Sequence, residues 1–339
     1  MRDALNPSFA TRSMAGFRKV YLMGFVKTIL RVHAPGVYAA LREAQNRRLS
    51  KKHQGMDEEE IRKELASMYR QRIGQDMNLE CPNRYTEKIQ WRKMYGLTPE
   101  MSLLSDKYAV RDWVKKRIGV EYLVPLLGHW CNPEDIEFDS LPNEFILKTN
   151  NGTSTNIIVH DKDRIDIKNV RSMLRRWLAA KPGLVSFERQ YDSIPPSIIA
   201  ESLLKPADGE SDVKDYKFLC FDGEPRFVWV DLDRYTNHTR AMFDMNWELQ
   251  DWNQYNFPPI PYVPARPVCL DEMIEVARKL SAGFDHVRVD LYEVSGKVYF
   301  GEMTFTNGSG LEPIVPDAFD AVLGSYWSLP TAQGLRRAE

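Results

Sequence analysis

The stretch Val287-Arg288-Val289-Asp290-Leu291-Tyr292, followed after a tight turn by Tyr299-Phe300-Gly301-Glu302, decides the fold. Apolar and polar residues alternate along residues 287–292, so Arg288, Asp290 and Tyr292 share one face of a strand. The turn falls at Ser295-Gly296, and the returning strand brings Glu302 beside Asp290. Two carboxylates meeting across a hairpin repel one another unless a cation lies between them. Hard oxygen donors favour magnesium, and Arg288 beside them suits a phosphate that the metal bridges.

Working outward, a second hairpin is expected from residues 216–221 and 226–230 across Asp222-Gly223. Alternation puts Asp215 and Lys217 on one face of its first strand. The strand before it, Ile198-Ile199-Ala200-Glu201-Ser202-Leu203-Leu204, is apolar with one acid. Burying Glu201 requires a partner, either a protein cation or the polar edge of a ligand. Earlier still, Phe145-Ile146-Leu147-Lys148 runs into the polar loop Thr149-Asn150-Asn151-Gly152-Thr153-Ser154-Thr155-Asn156 and then into a strand at residues 157–159. Such a loop can fold its N–H groups around a phosphate while Lys148 supplies positive charge. The GxxxxGK[ST] order of a Walker loop is absent.

Helical periodicity is expected at residues 57–69, with Ile61, Leu65 and Met68 on one face, and at 105–117, closed by Gly119. Lys107 then falls on a helix surface. Further helices are expected at 171–180 and 271–282, and two more within residues 17–48, broken at Pro35-Gly36. The domain reading is a basic helical segment over residues 1–74, a catalytic domain over 75–330 and a tail over 331–339.

The formal net charge of -1 gives no reason to expect nucleic acid as a partner. The charge is unevenly spread, because residues 1–55 carry eleven Lys or Arg against Asp3 and Glu43, a net of +9. Cys81, Cys131, Cys220 and Cys269 are too far apart for a local metal clamp or a dense disulfide framework, which favours the cytoplasm. The apolar run from Val20 to Leu30 is interrupted by Lys27 and falls short of the ~20 residues of a membrane span. It suits peripheral contact of residues 1–55 with an anionic membrane surface instead.

Several longer runs carry a resemblance: Thr86-Glu87-Lys88-Ile89-Gln90-Trp91, Leu104-Ser105-Asp106-Lys107-Tyr108-Ala109-Val110-Arg111, Asp215-Tyr216-Lys217-Phe218, and Val287 to Tyr292 with Phe300-Gly301-Glu302-Met303-Thr304-Phe305. Taken in order they resemble the TupA-like branch of the ATP-grasp superfamily, over about residues 75 to 325. The resemblance implies an α+β fold, two subdomains clasping ATP, after a mainly helical N-terminal extension. It implies a ligase that uses ATP and Mg2+ to phosphorylate a carboxylate, which an amine then attacks. Lys107, Lys148, Asn151, Gly152, Thr153, Ser154, Thr155, Glu201, Leu203 and Asp215 would bind the nucleotide. Asp290 and Glu302 would hold the metal, Arg288 and Lys217 would be catalytic, and Asp233, Arg234 and Asn307 would line the acceptor site. Many ATP-grasp enzymes have asparagine two residues after the metal-binding glutamate. Here that position is Thr304, with Asn307 three residues on, so the third metal ligand stays open between them.

In this branch the associated pathways build surface polysaccharides, so the resemblance implies a small-molecule or glycan substrate and other polysaccharide-assembly enzymes as partners. A rival reading is a metal-dependent glycosyltransferase, in which Asp231-Leu232-Asp233 would hold a metal and a sugar nucleotide.

Overall fold

A computed structural model describes residues 34–330 apart from 154, 207–212, 233–238, 255–259 and 261. The chain forms two compact units, residues 1–51 and 52–339. The described part of the first is most of helix α1, Pro35–His53, on which Val37 and Leu41 are exposed. The helix expected upstream of Pro35 lies outside the described residues. Among the described residues no helix is long and apolar enough to cross a membrane.

In the larger unit, helix α2 (Glu58–Ile73) begins with a capping box. Asp57 accepts the Glu60 N–H at 2.8 Å and Glu60 accepts the Asp57 N–H at 3.0 Å. Ile61, Leu65 and Tyr69 form its buried face, and Gly74, at φ 87°, ends it. Helix α3 (Tyr85–Trp91) passes into a π-helical turn, Arg92–Gly96, and is followed by α4 (Pro99–Ser105) and α5 (Val110–Ile118). The helix expected from residue 105 thus starts five residues later. Asp106 accepts the N–H groups of Tyr108 and Ala109, which makes residues 106–109 a turn and moves Lys107 off the helix surface.

The first sheet holds β1 (Leu126–Trp130), β2 (Phe145–Thr149), β3 (Asn156–Val159) and β4 (Ile198–Ser202) in the order β1-β4-β2-β3, antiparallel throughout. Phe145, Leu147, Ile198 and Ala200 pack with Val170 and Leu174 of α6 (Ile167–Leu178). Strand alternation turns Ile146, Lys148, Ile199 and Glu201 to the opposite face. The short helix α7 (Gly183–Ser186) comes between α6 and β4 along the chain.

The second sheet comprises β5 (Lys214–Phe221), β6 (Glu224–Leu232), β7 (Thr239–Asp244), β9 (His286–Val294) and β10 (Lys297–Thr304), in the order β10-β9-β5-β6-β7. A short β8 (Asn253–Gln254) pairs separately with β11 (Ile314–Val315). Both expected hairpin turns are present: Asp222-Gly223 and Ser295-Gly296 have positive φ at both residues, which matches the right-handed twist of the strands they join. One face of the sheet, with Phe218, Val228, Val287, Val289 and Leu291, buries itself with Met273 and Leu280 of α8 (Leu270–Ser281). Each such side chain contributes about 1.5–3 kcal/mol by leaving water. The other face carries the charged residues. The last helix, α9 (Ala318–Ser325), packs on α3, where buried Asp320 accepts from the Thr86 N–H and hydroxyl.

A one-residue bulge interrupts the pairing of β9 with β10. Phe300 lies opposite Leu291, yet Glu302 lies opposite Asp290, leaving Gly301 as the extra residue. A Cβ at Gly301 would come within 3.0 Å of the Asp290 carbonyl oxygen, so glycine suits the bend.

Candidate active site

The charged face of the second sheet is a lattice of alternating signs. Arg288 donates from Nε and Nη2 to the two oxygens of Asp290, at 2.6 and 2.7 Å, and from Nη2 to Glu302 Oε1 at 2.9 Å. Its Nη1 donates to Asn307 Oδ1 at 2.9 Å. Lys217 pairs with Asp215 and lies 3.4 Å from Asp290 and 3.7 Å from Asp231. The face therefore gathers Asp215, Lys217, Arg288, Asp290, Glu302 and Asn307, all singled out in the sequence.

Burial favours the neutral form of Asp290 and raises it to about 6, against Arg288 and Lys217, with Glu302 and Asp215 adding like-charge repulsion. Burial acts in the same direction on Glu302, but Lys107 and Arg288 outweigh it and hold that carboxyl at about 2. Arg288 itself, despite burial, is held above its ordinary value by Asp290 and Glu302.

On the first sheet Glu201 has the protein partners that its burial requires. Lys148 donates to Oε2 at 2.7 Å, and Arg111, from α5, donates to Oε1 at 2.7 Å and to the Val124 carbonyl. The loop between β2 and β3 is drawn together by Thr149 and Thr155, whose hydroxyls lie 2.6 Å apart, with Asn151 and Gly152 buried and Thr153 exposed. Lys107, on its turn, connects the two sheets. Its Nζ donates to the Gly152 carbonyl at 2.7 Å and lies 3.8 Å from Glu302 Oε2, and it feels the charges of Lys148 and Glu201 as well. Burial lowers the Lys107 ammonium, against the pull of Glu302. Leu203 follows β4 and is half-buried. Ser154, Asp233 and Arg234 lie outside the described residues.

The donor set suits a hard divalent cation. Asp290, Glu302 and the Asn307 carbonyl all aim oxygen at one centre of positive charge, the Arg288 guanidinium, and Mg2+ needs only one or two protein carboxylates when phosphate oxygens and water complete its shell. The Thr304 hydroxyl instead donates to Glu302 Oε1, at 3.3 Å. Among the described residues no group of three or more His, Cys, Asp or Glu forms a self-sufficient metal cage. Asp231 is held by Arg240, which donates to both its oxygens, at 2.6 and 3.0 Å.

Sequence reasoning missed Arg111, although it ends one of the quoted runs. It also missed a polar cluster beside the site. Glu188 accepts from the hydroxyls of Ser186, Thr306 and Ser309, and Tyr191 is pushed well above its usual range by burial and by Glu188 and Glu302. None of these residues belongs to a local pattern; distant segments bring them together.

The family model described as TupA-like ATPgrasp matches residues 87–328. No curated protein matches the chain. Among solved structures, D-alanine–D-alanine ligase from Bacillus anthracis aligns at 18% identity over 70% of each chain, with a TM-score of 0.37. N5-carboxyaminoimidazole ribonucleotide synthetase from Thermus thermophilus aligns at 11% identity over 65% of this chain and 51% of its own, with a TM-score of 0.36. The family match spans most of the chain and carries the assignment: this is an ATP-grasp enzyme, with ATP and Mg2+ as its cofactors. Within that class it belongs to the TupA-like ATP-grasp family.

Proposed function

We propose that this ligase phosphorylates a carboxylate with Mg-ATP and joins the resulting acyl group to an amine in the synthesis of a cell-surface polysaccharide or its precursor. The observation that carries the site assignment is the gathering of Arg288, Asp290, Glu302 and Lys107 at one point, beside the loop that holds Gly152. Asp290 and Glu302, with the Asn307 carbonyl, would hold Mg2+, which supplies charge neutralisation to the transferring phosphoryl group. Lys107, Lys148 and the N–H groups of residues 151–155 bind phosphate oxygens. Glu201, Leu203 and Asp215 hold the rest of the nucleotide. Arg288 and Lys217 stabilise charge that grows on the phosphoryl oxygens during transfer, which is where fixed cations accelerate such a reaction most. Asn307, with Asp233 and Arg234, would line the acceptor site.

The +9 charge of residues 1–55 supports a reading in which that segment is held reversibly at the inner membrane face, with a cytoplasmic site of action and other polysaccharide-assembly enzymes as partners. The test is a screen of uronic acids and other carboxylates against amines for ADP release that needs both. ADP release that depends on neither, or stabilisation by a UDP-sugar with Mn2+ rather than by Mg-ATP, would overturn the reading.

A further inference from the structure

The turn that carries Asn307 to Arg288 is bent against the preference of its backbone. Gly308, Ser309 and Gly310 all lie in the left-handed region, at φ 54°, 58° and 61°, a conformation that a residue with a Cβ resists. Asn307 is 2% exposed, and its Oδ1 accepts from Arg288 Nη1. That bond engages the oxygen assigned to Mg2+, so the fixing of the residue for the ion has to come from its neighbours in the turn.

Those neighbours are held by a carboxylate from a distant segment. Thr306 donates to Glu188 Oε1 at 2.5 Å and Ser309 donates to Oε2 at 3.1 Å, so the two oxygens grip the turn before and after Asn307. With its proton committed to Glu188, the Thr306 hydroxyl accepts from Gln190 Nε2 at 2.7 Å. Glu188 is itself fixed: its N–H donates to the Gly183 carbonyl at 2.9 Å, and the Ser186 hydroxyl donates to Oε2 at 2.6 Å. The residue before it, Phe187, is buried, with its ring centroid 4.4 Å from that of His53, and is left-handed as well, at φ 59°. Both sides of the contact therefore use a non-glycine residue in an uncommon backbone conformation, of the kind that persists where the surroundings over-determine it and that concentrates at functional sites. Among the described residues Glu188 forms no ion pair, so its charge is directed wholly at these hydroxyls.

We propose that Glu188 is a positioning residue for the metal site: by gripping Thr306 and Ser309 it sets the Asn307 carbonyl oxygen where Asp290 and Glu302 can share a divalent cation with it. The proposal rests on the reading above that gives Asn307 to Mg2+. Groups that orient a ligand without touching the ion change metal affinity or activity by about 10- to 100-fold when they are removed.

The experiment measures binding of a non-hydrolysable ATP analogue to the full chain by calorimetry, once with Mg2+ and once with EDTA. The ratio of the two dissociation constants reads the contribution of the metal. Glu188→Gln should cut that ratio about tenfold and leave binding in EDTA unchanged. Thr306→Val, which removes the hydroxyl at nearly constant shape, should do the same, and Thr306→Ser should keep the wild-type ratio. The Thr306 pair decides the matter by itself if Glu188→Gln does not fold. In an Asn307→Ala background Glu188→Gln should have no further effect, because it acts through that residue. Weakened binding in EDTA and Mg2+ alike, a ratio for Thr306→Ser as low as that for Thr306→Val, or an equal effect of Glu188→Gln with and without Asn307 would overturn the proposal. An unchanged ratio in Glu188→Gln beside a lowered one in Asn307→Ala would overturn it and leave the reading of Asn307 intact. An unchanged ratio in Asn307→Ala would remove that reading and the proposal with it.

Discussion

Lys107 lies 3.8 Å from Glu302 while its ammonium holds the Gly152 carbonyl, so a single side chain links the polar loop of one sheet to a carboxylate of the other. After burial, which acts in the opposite direction, Lys107 is the largest influence on Glu302 and helps to keep it at about 2. Lys107→Met should lower kcat for ADP release by about a hundredfold. It should also let Glu302 titrate nearer its ordinary value, so the acid limb of the pH profile moves to higher pH. A fall in rate with an unmoved limb would restrict Lys107 to a phosphate contact.

Asp290→Asn and Glu302→Gln should both abolish Mg-dependent ADP release, yet differ in stability. Asp290 is buried between Arg288 and Lys217, and removing its charge leaves two cations poorly paired, at a cost of about 3 kcal/mol. The Glu302 side chain is 36% exposed, so its loss is far better tolerated. Urea melts of the two variants check the contrast; equal destabilisation would contradict it.

Arg111→Met should raise the KM for ATP about tenfold with little change in kcat, because Arg111 orients Glu201 at a distance from the transferring phosphoryl group. Steady-state kinetics with ATP varied is the check, and a loss confined to kcat would place Arg111 elsewhere in the mechanism.

His286 gives the fold a directional pH dependence. Its Nε2 meets the Tyr85 hydroxyl and its Nδ1 the Cys220 carbonyl, and burial, helped by Arg92, lowers it from 6.5 to about 3. The unfolded chain takes up this proton more readily than the folded one. The stability that His286 contributes is therefore complete above about pH 6.5 and declines as pH falls towards 3. Denaturant midpoints measured across that window should show the decline, and His286→Gln should flatten it.

Residues 1–55 should bring the chain down with anionic vesicles at low salt and release it near 1 M, where the screening length falls to ~3 Å. A chain starting at Met56 should remain in the supernatant under both conditions. Equal sedimentation of the two chains would exclude this segment as the anchor.

The strands and both hairpins were legible because a buried sheet face imposes strict alternation, and Asp222-Gly223 and Ser295-Gly296 are the residue pairs that hairpin turns require. Asp290 and Arg288 could be placed on one face by the same rule. Helical spacing of its neighbours predicts a helix at Lys107, but spacing alone does not show the competing bonds that the Tyr108 and Ala109 N–H groups donate to Asp106. Glu201 visibly needed a partner, but the choice of Arg111 and Lys148 is made by tertiary packing. Glu188 gave no signal at all, since nothing local in its segment announces Thr306 and Ser309, which donate to it.

The bulge at Gly301 gives β10 two phases. Up to Phe300 the strand points its apolar residues into the core in step with Leu291, and from Glu302 onward it is offset by one. Were residue 301 deleted, the ladder would run in one regular register, with Phe300 still opposite Leu291 and Glu302 still opposite Asp290. What would go is the local bend and added twist that a bulge gives its strand. The extra residue thus sets the angle at which the paired side chains meet rather than which of them meet, and a variant one residue shorter would keep every partner while changing their aim.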